Sequence, residues 1–412
     1  MIVDVFWGSW GLGMEEIRRL REDEIDAHLA ISQFAFQYEI AKNDLDQAKK
    51  DVVVDHIHGF FVDGQMAANL TILPLATYVN GHPVAMGGIA GVATWPEHRR
   101  RGMVAKLLRH SLNVMKEQGS LVSMLAPFSF AFYNRFGWVY CIDRKQYILD
   151  RADWPKFQAS KGAIERTDHF QEMESVYETY AARFSGTLQR SEDWWQTRIK
   201  KGKQGIRALY RDENGVAQGY MIYQVKQSEM IVHEMVYLTV EAYQGLWNFI
   251  ANHDSMANQV KIIVPTNDGL PFLLPNPRIK QEIFPYFMAR IVDVEPFLRQ
   301  YSFISQTSEA ELNVCVTDPN ALWNEAIFTI SWSADGIQQV DVQRVEAAQF
   351  QEIGMSLQNC LTCDIQTLTA MLFGYQRPST LASIGSVQGT SEAVTAWEQA
   401  IPAQTTFLYD FF

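Results

Sequence analysis

The sequence predicts a mixed α/β (α+β) protein: two units of mixed sheet with flanking helices in tandem, then a C-terminal α+β domain. Three observations point there. A helix, hairpin, long strand, glycine turn, helix and strand follow one another over residues 22–150, and a similar order recurs over residues 163–292. From Asp293 short strand-like runs and scattered helical segments replace that order. The 412 residues also allow two or three domains at roughly 150 residues each. The expected divisions are 1–155, 156–293 and 294–412.

Residues 22–42 place Ile25, Leu29, Ile31 and Phe34 at helical spacing. The run HGFFVDGQMAANLTILPLATYV turns at Asp63-Gly64 as a hairpin does, and Asn80-Gly81 is a second turn signal. It leads into HPVAMGGIAGVATW, a strand suited to the middle of a sheet. After Gly102, MVAKLLRHSLNVMKEQG is amphipathic and closes at Gly119; the apolar strand LVSMLAP and the aromatic run FAFYNRFGWVY follow. Asp153-Trp154-Pro155 marks a boundary. In the second unit helices are expected around 169–183 and 241–252, with strands around 205–211, 217–226 and 231–240 and in VKIIVP. Its long strand runs into Glu241 to Gly245 rather than a basic glycine turn, so it reads as a degenerate copy. The last domain comprises VDVEPFLRQY, ELNVCVTD, NEAIFTISWS and IQQVDVQ, with helical segments around 318–326 and 364–373. It ends in TTFLYDFF, too apolar for a fraying tail.

The formal charge of −12 disfavours nucleic acid or an anionic membrane as partner and would attract a cationic substrate such as a polyamine or aminoglycoside. Four cysteines in so long a chain suit a reducing cytosol, hence a cytoplasmic protein. Cys360 and Cys363 have redox or zinc spacing without a second such pair, and His56 and His58 alternate as strand residues do. All four read as ordinary side chains, and no metal is expected. No window approaches about 20 uninterrupted apolar residues, so no membrane span is expected. The first 13 residues lack the basic start and cleavage site of a signal peptide, and Met14 is an alternative start to Met1.

Chemistry concentrates in GGIAGVATWPEHRRRGMVAKLL. A strand ends at Thr94, a turn carries Pro96 with Arg99, Arg100 and Arg101, and Gly102 opens a helix. A helix N-terminus offers unpaired N–H groups and the positive end of the dipole, which makes a site for a pyrophosphate. Glycine lets the backbone come close where a Cβ would intrude. Three adjacent arginines also suit a plain solvated turn. The arrangement resembles motif A of the Gcn5-related N-acetyltransferase (GNAT) superfamily, Q/R-x-x-G-x-G/A, with Arg99, Gly102 and Val104 on the defined positions. Val104 departs from the usual Gly or Ala. The resemblance implies acetyl-CoA as co-substrate, with main-chain groups of Val92 and Thr94 beside its pantetheine arm. It also implies amides of Arg100, Arg101, Gly102, Met103 and Val104 around its pyrophosphate.

Phe132-Tyr133-Asn134-Arg135-Phe136-Gly137-Trp138 resembles motif B of the same superfamily, F-Y-x-x-x-G-F. The phenylalanines around Tyr133 suit a core residue; the resemblance implies instead a hydroxyl that protonates the departing CoA thiolate. Two such units before an α+β tail resemble the enhanced intracellular survival (Eis) family, with an active first GNAT domain, a degenerate second and a sterol-carrier-like third. That resemblance implies an N-acetyltransferase acting on a primary amine, of an aminoglycoside- or polyamine-like molecule or of lysine, and a homo-hexamer. It further implies the C-terminal carboxylate, here that of Phe412, as general base, with Phe411 and Phe412 anchoring a buried end. A terminal strand packed for stability alone is the other reading. Phe34, Phe36, Gln37, Tyr38 and Glu39 are candidates for the acceptor pocket or for core, and Asp410 for binding an ammonium group. Two further readings stay open: an N-myristoyltransferase-like acyltransferase of tandem GNAT units, and a non-catalytic ligand- or lipid-binding protein on the same scaffold.

Overall fold

The computed structural model describes residues 14–158, 161–168, 170–304, 311–333 and 337–412. The first 13 residues, and with them the choice between Met1 and Met14, lie outside the described residues. Two compact units emerge: one runs to Pro74 and takes in Gly87–Gly119, the other holds Leu75–Met86 and Ser120–Phe412.

The first unit opens with β1 (Glu15–Arg19), α1 (Ile25–Phe36) and α2 (Leu45–Lys50). β2 (Ile57–Val62) pairs antiparallel with β1 and with β3 (Gln65–Val79), and β4 (His82–Thr94) lies beside β3. Both expected turns are present. Asp63 and Gly64 have φ of 51° and 78°, and Asn80 and Gly81 have 50° and 81°; two successive positive φ values make the tight hairpin whose twist matches its strands. The helix expected over 22–42 is shorter, because Gln37 turns left-handed at φ 56° and its N–H closes on Gln33 O. Leu29 and Ile31 are buried on α1, whereas Phe34 is not. Helix α3 (Met103–Glu117) buries Leu107, Leu108, Leu112 and Met115. Its close approach needs Gly87, where a Cβ would stand 2.2 Å from Met115 Sδ.

The second unit, which takes in the end of β3 and the start of β4 at Leu75–Met86, continues with β5 (Val122–Leu125), α4 (Phe130–Asn134) and β6 (Val139–Asp150). It continues through β7 (Ala163–Arg166), α5 (Gln171–Ala181), β8 (Phe184–Ser185), β9 (Leu188–Gln189) and α6 (Glu192–Trp194). Next come β10 (Ile206–Arg211), β11 (Ala217–Lys226), β12 (Glu229–Tyr237), α7 (Val240–Ala251) and β13 (Gln259–Val264), close to their expected places. After α8 (Leu270–Leu273) comes β14 (Lys280–Ile291), and the strands lie in the order β5-β14-β6-β13-β12-β11-β10-β7. Only the β12–β13 pair of this run is parallel. The sheet is therefore mixed, as expected. β14 does not stand out in the sequence because its first half, KQEIFP, mixes polar and apolar residues without alternation and is largely exposed, and only Phe287–Ile291 is fully buried.

The remaining chain starts with α9 (Val294–Gln300). β15 (Glu311–Thr317), β16 (Ala326–Trp332), β17 (Gln338–Gln343) and, after α10 (Phe350–Ser356), β18 (Cys360–Asp364) form a sheet ordered β17-β16-β15-β18. α11 (Ile365–Leu372), α12 (Pro378–Ser383) and α13 (Ser391–Ala400) follow. The helical segment expected around 318–326 is only a 3-10 turn, Leu322–Asn324. Asp318 accepts the N–H of Asn320 at 3.3 Å, and this local side-chain bond competes with a helix. All four cysteines are free and buried. The chain then forms β19 (Thr405–Thr406), parallel to β8. No described helix is long and apolar enough to cross a membrane.

Candidate active site

In the first unit Gly91, inside β4, has a left-handed φ of 58°. Only glycine adopts such an angle within a strand without strain. Val92 and Thr94 follow it. A 3-10 turn at Pro96–His98 leads to Arg100, left-handed at φ 63°, and to Gly102, the N-cap of α3, at φ 78°. Gly102 brings no side-chain acceptor, and the first turn of α3 holds no acid. The N–H groups of Met103 and Val104 therefore sit at an uncapped positive helix end, preceded by exposed Arg99, Arg100 and Arg101. This suits a group as anionic as pyrophosphate. A Cβ at Gly102 would meet nothing within 4 Å, so the backbone angle, not internal crowding, requires the glycine.

Helix α7 of the second unit starts differently. The Thr239 hydroxyl accepts the Ala242 N–H at 3.1 Å, and Glu241 stands in the first turn. A carboxylate there repels an anion. Strands β12 and β13 are in register from Glu229 opposite Gln259 to Val232 opposite Ile262. Further along β12, Tyr409 Oη donates to Met235 O at 3.0 Å and accepts the Met235 N–H at 3.4 Å.

Tyr133 lies on α4, a short helix whose N-cap Ser129 accepts the Phe132 N–H at 3.3 Å. Its ring is buried, 5.2 Å from the ring of Phe128 and 5.2 Å from that of Phe132. Burial pushes its hydroxyl far above the usual phenol range. Near neutral pH it keeps its proton, the form in which a phenol can act as acid.

The final residues are gripped by polar groups of the second unit. Arg144 donates to Leu408 O at 3.0 Å and Tyr409 O at 2.7 Å, and Tyr286 Oη donates to Asp410 O at 2.6 Å. Asp410, expected to bind an ammonium group, is 2 % exposed. Its carboxylate accepts from Arg190 Nε at 3.0 Å, Trp194 Nε1 at 2.9 Å and Tyr177 Oη at 3.3 Å. The chain's own cation thus occupies it, since a buried guanidinium needs a counter-charge. Arg190 also pairs with Glu234, which takes bonds from Lys203 and, at 2.7 Å, from Tyr220 Oη. Burial works against the Glu234 charge, but Arg190 and Lys203 outweigh it and hold the carboxyl well below its usual range. Phe412 is 8 % exposed, its ring 4.9 Å from that of Phe287 and 6.2 Å from that of Trp194. Phe411, expected to help bury the end, is 66 % exposed. Sequence reasoning missed Arg144, Arg190, Lys203, Glu234 and Tyr286. A lone charge inside an apolar strand, as Glu234 is in MIVHEMVYL, is the signal that marks such a network.

Of the acceptor candidates, Phe34 is 50 % exposed, its ring 5.1 Å from that of Trp95 just after β4. Phe36, Gln37, Tyr38 and Glu39 are also exposed, so these residues are not core.

Comparison with known proteins matches an acetyltransferase (GNAT) domain at residues 16–141, a second at 186–291, and a sterol carrier protein domain at 294–409. An uncharacterized N-acetyltransferase of Streptomyces griseus is 27% identical over 263 residues, 56% of this chain and 62% of that protein. The chain thus spans less than two thirds of that relative's length. One of Streptomyces avermitilis is 22% identical over 88% of this chain and 89% of that protein. N-acetyltransferase Eis of Mycobacterium tuberculosis is 24% identical over 56% of this chain and 61% of that protein. Among solved structures, a probable N-acyltransferase from Enterococcus faecalis V583 aligns with a TM-score of 0.86 at 27% identity, covering 97% of this chain and 100% of that one. Eis1 from Mycobacterium abscessus has the same fold, with a TM-score of 0.79 at 20% identity over 96% of this chain and 100% of that one. The chain thus carries two GNAT acetyltransferase domains ahead of a sterol carrier protein domain and is similar to the N-acetyltransferase Eis proteins.

Proposed function

We propose that this protein is an acetyl-CoA-dependent N-acetyltransferase for primary amines of a cationic small molecule, aminoglycoside- or polyamine-like, or of lysine. The observation that carries the reading is the contrast between the two helix starts. α3 begins uncapped, acid-free and beside three arginines, whereas α7 is capped by Thr239 and carries Glu241. Residues Arg99 to Val104 would hold the pyrophosphate, with main-chain groups of Val92 and Thr94 along the pantetheine arm. Acetyl-CoA supplies the acetyl group as a thioester. An N–H near Val92 stabilises charge on the carbonyl oxygen, Tyr133 Oη delivers a proton to the leaving sulfur, and the Phe412 α-carboxylate takes one from the amine.

Supporting the acceptor class are the exposed aromatic rings of Phe34, Phe36 and Tyr38 with Glu39, which suit an ammonium group by cation–π and charge attraction, and the net charge of −12. The second acetyltransferase domain is, in this reading, a degenerate copy: Tyr409 takes the main-chain positions of Met235 that a pantetheine arm would use. Domain divisions after residues 155 and 293, a cytoplasmic location and a homo-hexamer belong to the same reading; light scattering checks the last.

The test is thiol release from acetyl-CoA across a panel of amines. Tyr133→Phe is expected to lower kcat by about 10²–10⁴ while titration calorimetry shows unchanged acetyl-CoA affinity. Equal turnover removes Tyr133 from the acid role. Residues appended after Phe412 are expected to abolish acetylation in a folded protein, and full activity there refutes the carboxylate base.

A further inference from the structure

Helix α4 holds five residues, little more than one turn, and a helix so short has no stability of its own. Its orientation is set by what holds its ends. At the C-terminal end three successive carbonyls are taken by side chains. Gln366 Nε2 donates to Asn134 O at 3.0 Å, Asn320 Nδ2 donates to Arg135 O at 2.9 Å, and Arg290 donates to Phe136 O. Gln366 and Asn320 belong to the sterol carrier protein domain. Arg290, on β14, is fixed from that domain too. Its guanidinium pairs with Asp318, both side chains being fully buried, and Asp318 in turn accepts from Asn324 Nδ2 at 2.9 Å. The fit is close enough that a Cβ on Gly137 would stand 2.1 Å from the Arg290 guanidinium.

From this arrangement we infer that the sterol-carrier-like domain is a positioning device for Tyr133, with Asn320, Gln366 and the Asp318–Arg290 pair as positioning residues that set the direction of α4. The inference rests on the reading of Tyr133 as the general acid. Tyr133 lies one residue before the first clamped carbonyl, so freeing Asn134 O and Arg135 O lets α4 tilt and carries the phenol off its line. Proton delivery depends steeply on such alignment, where a shift of about 1 Å can cost on the order of 10²-fold in rate. The clamping residues are distinct from residues 92–104, so cofactor affinity has no reason to follow.

Arg290 and Asp318 form a buried pair whose loss would endanger folding. The half-buried Asn320 and Gln366 are therefore the positions to change. In the full-length protein, Asn320→Ala with Gln366→Ala is expected to lower kcat about tenfold, part of the range that misalignment allows, with unchanged KM for acetyl-CoA and an unchanged circular dichroism spectrum. The same pair placed in Tyr133→Phe is expected to cause no further loss, because the group it aligns is gone. Multiplicative losses in that background overturn the inference while leaving Tyr133 as acid. Undiminished kcat in the Asn320→Ala, Gln366→Ala protein, or a loss confined to KM, overturns it as well. Wild-type turnover by Tyr133→Phe alone overturns both the acid role and the positioning role.

Discussion

At Gly102 two costs of adding a side chain separate. The φ of 78° disfavours any ordinary residue, yet a Cβ there would meet no protein atom within 4 Å. Gly102→Ala is therefore expected to cost about 1–2 kcal/mol of stability from backbone strain, read from urea unfolding. Aspartate visits the left-handed region more readily than alanine, so Gly102→Asp should unfold less easily than Gly102→Ala. It should nonetheless lose acetyl-CoA binding in calorimetry, because a carboxylate at a helix N-terminus competes with the pyrophosphate. If both variants bind acetyl-CoA like the wild type, the loop is only a solvated basic turn. At this scale the sequence was informative wherever backbone chemistry decides the outcome: the Asp63-Gly64 and Asn80-Gly81 turns and the Gly102 cap are all legible. Asp410 was not, since its buried partner Arg190 lies 220 residues away.

Helix α3 is tied to β2 by a pair of imidazoles: His110 Nε2 lies 3.0 Å from His58 Nδ1. Burial, then the neighbouring His110 and Arg19, push the His58 ring down to about 4, and burial lowers His110 despite Glu117. A folded value below the ordinary 6.5 means that the unfolded chain takes up the proton first. The contribution is complete above pH 6.5 and is lost as pH falls through about 4. The melting temperature of the wild type is expected to fall across that window more than that of His58→Gln; parallel curves would show that the pair has no such role. Elements themselves were legible where amphipathic spacing or alternation is regular, as in α3, β13 and α7. β14 is hidden because its exposed half, KQEIFP, carries no alternation and includes Pro285, and α1 is shorter than its spacing suggests because nothing in the sequence around Gln37 announces a left-handed stop.

Across the molecule, the order of the two acetyltransferase domains and the α+β domain was legible from repeated grammar and motif A. What was not legible is how the end of the chain is held, because the groups that hold it are scattered from Arg144 to Tyr286. A chain stopped after Gln404 loses Phe407, Leu408, Tyr409 and Asp410 from the buried interior and leaves Arg190 without one of its two carboxylates. Breaking a buried ion pair costs about 3–5 kcal/mol, before any loss of apolar burial. Such a protein is expected to be cut by trypsin within residues 184–240 under conditions that leave the full chain intact; equal resistance would show that the tail is dispensable for the second unit.

The grip of Met235 on Tyr409 spans 174 residues of sequence. During synthesis at about 5–20 residues per second, roughly 10–35 s separate the appearance of the strand from that of the hydroxyl it binds. Through that interval Arg190 has Glu234 for a partner but not yet Asp410. Residues 405–410, made late, thus complete a polar network that begins at Tyr177.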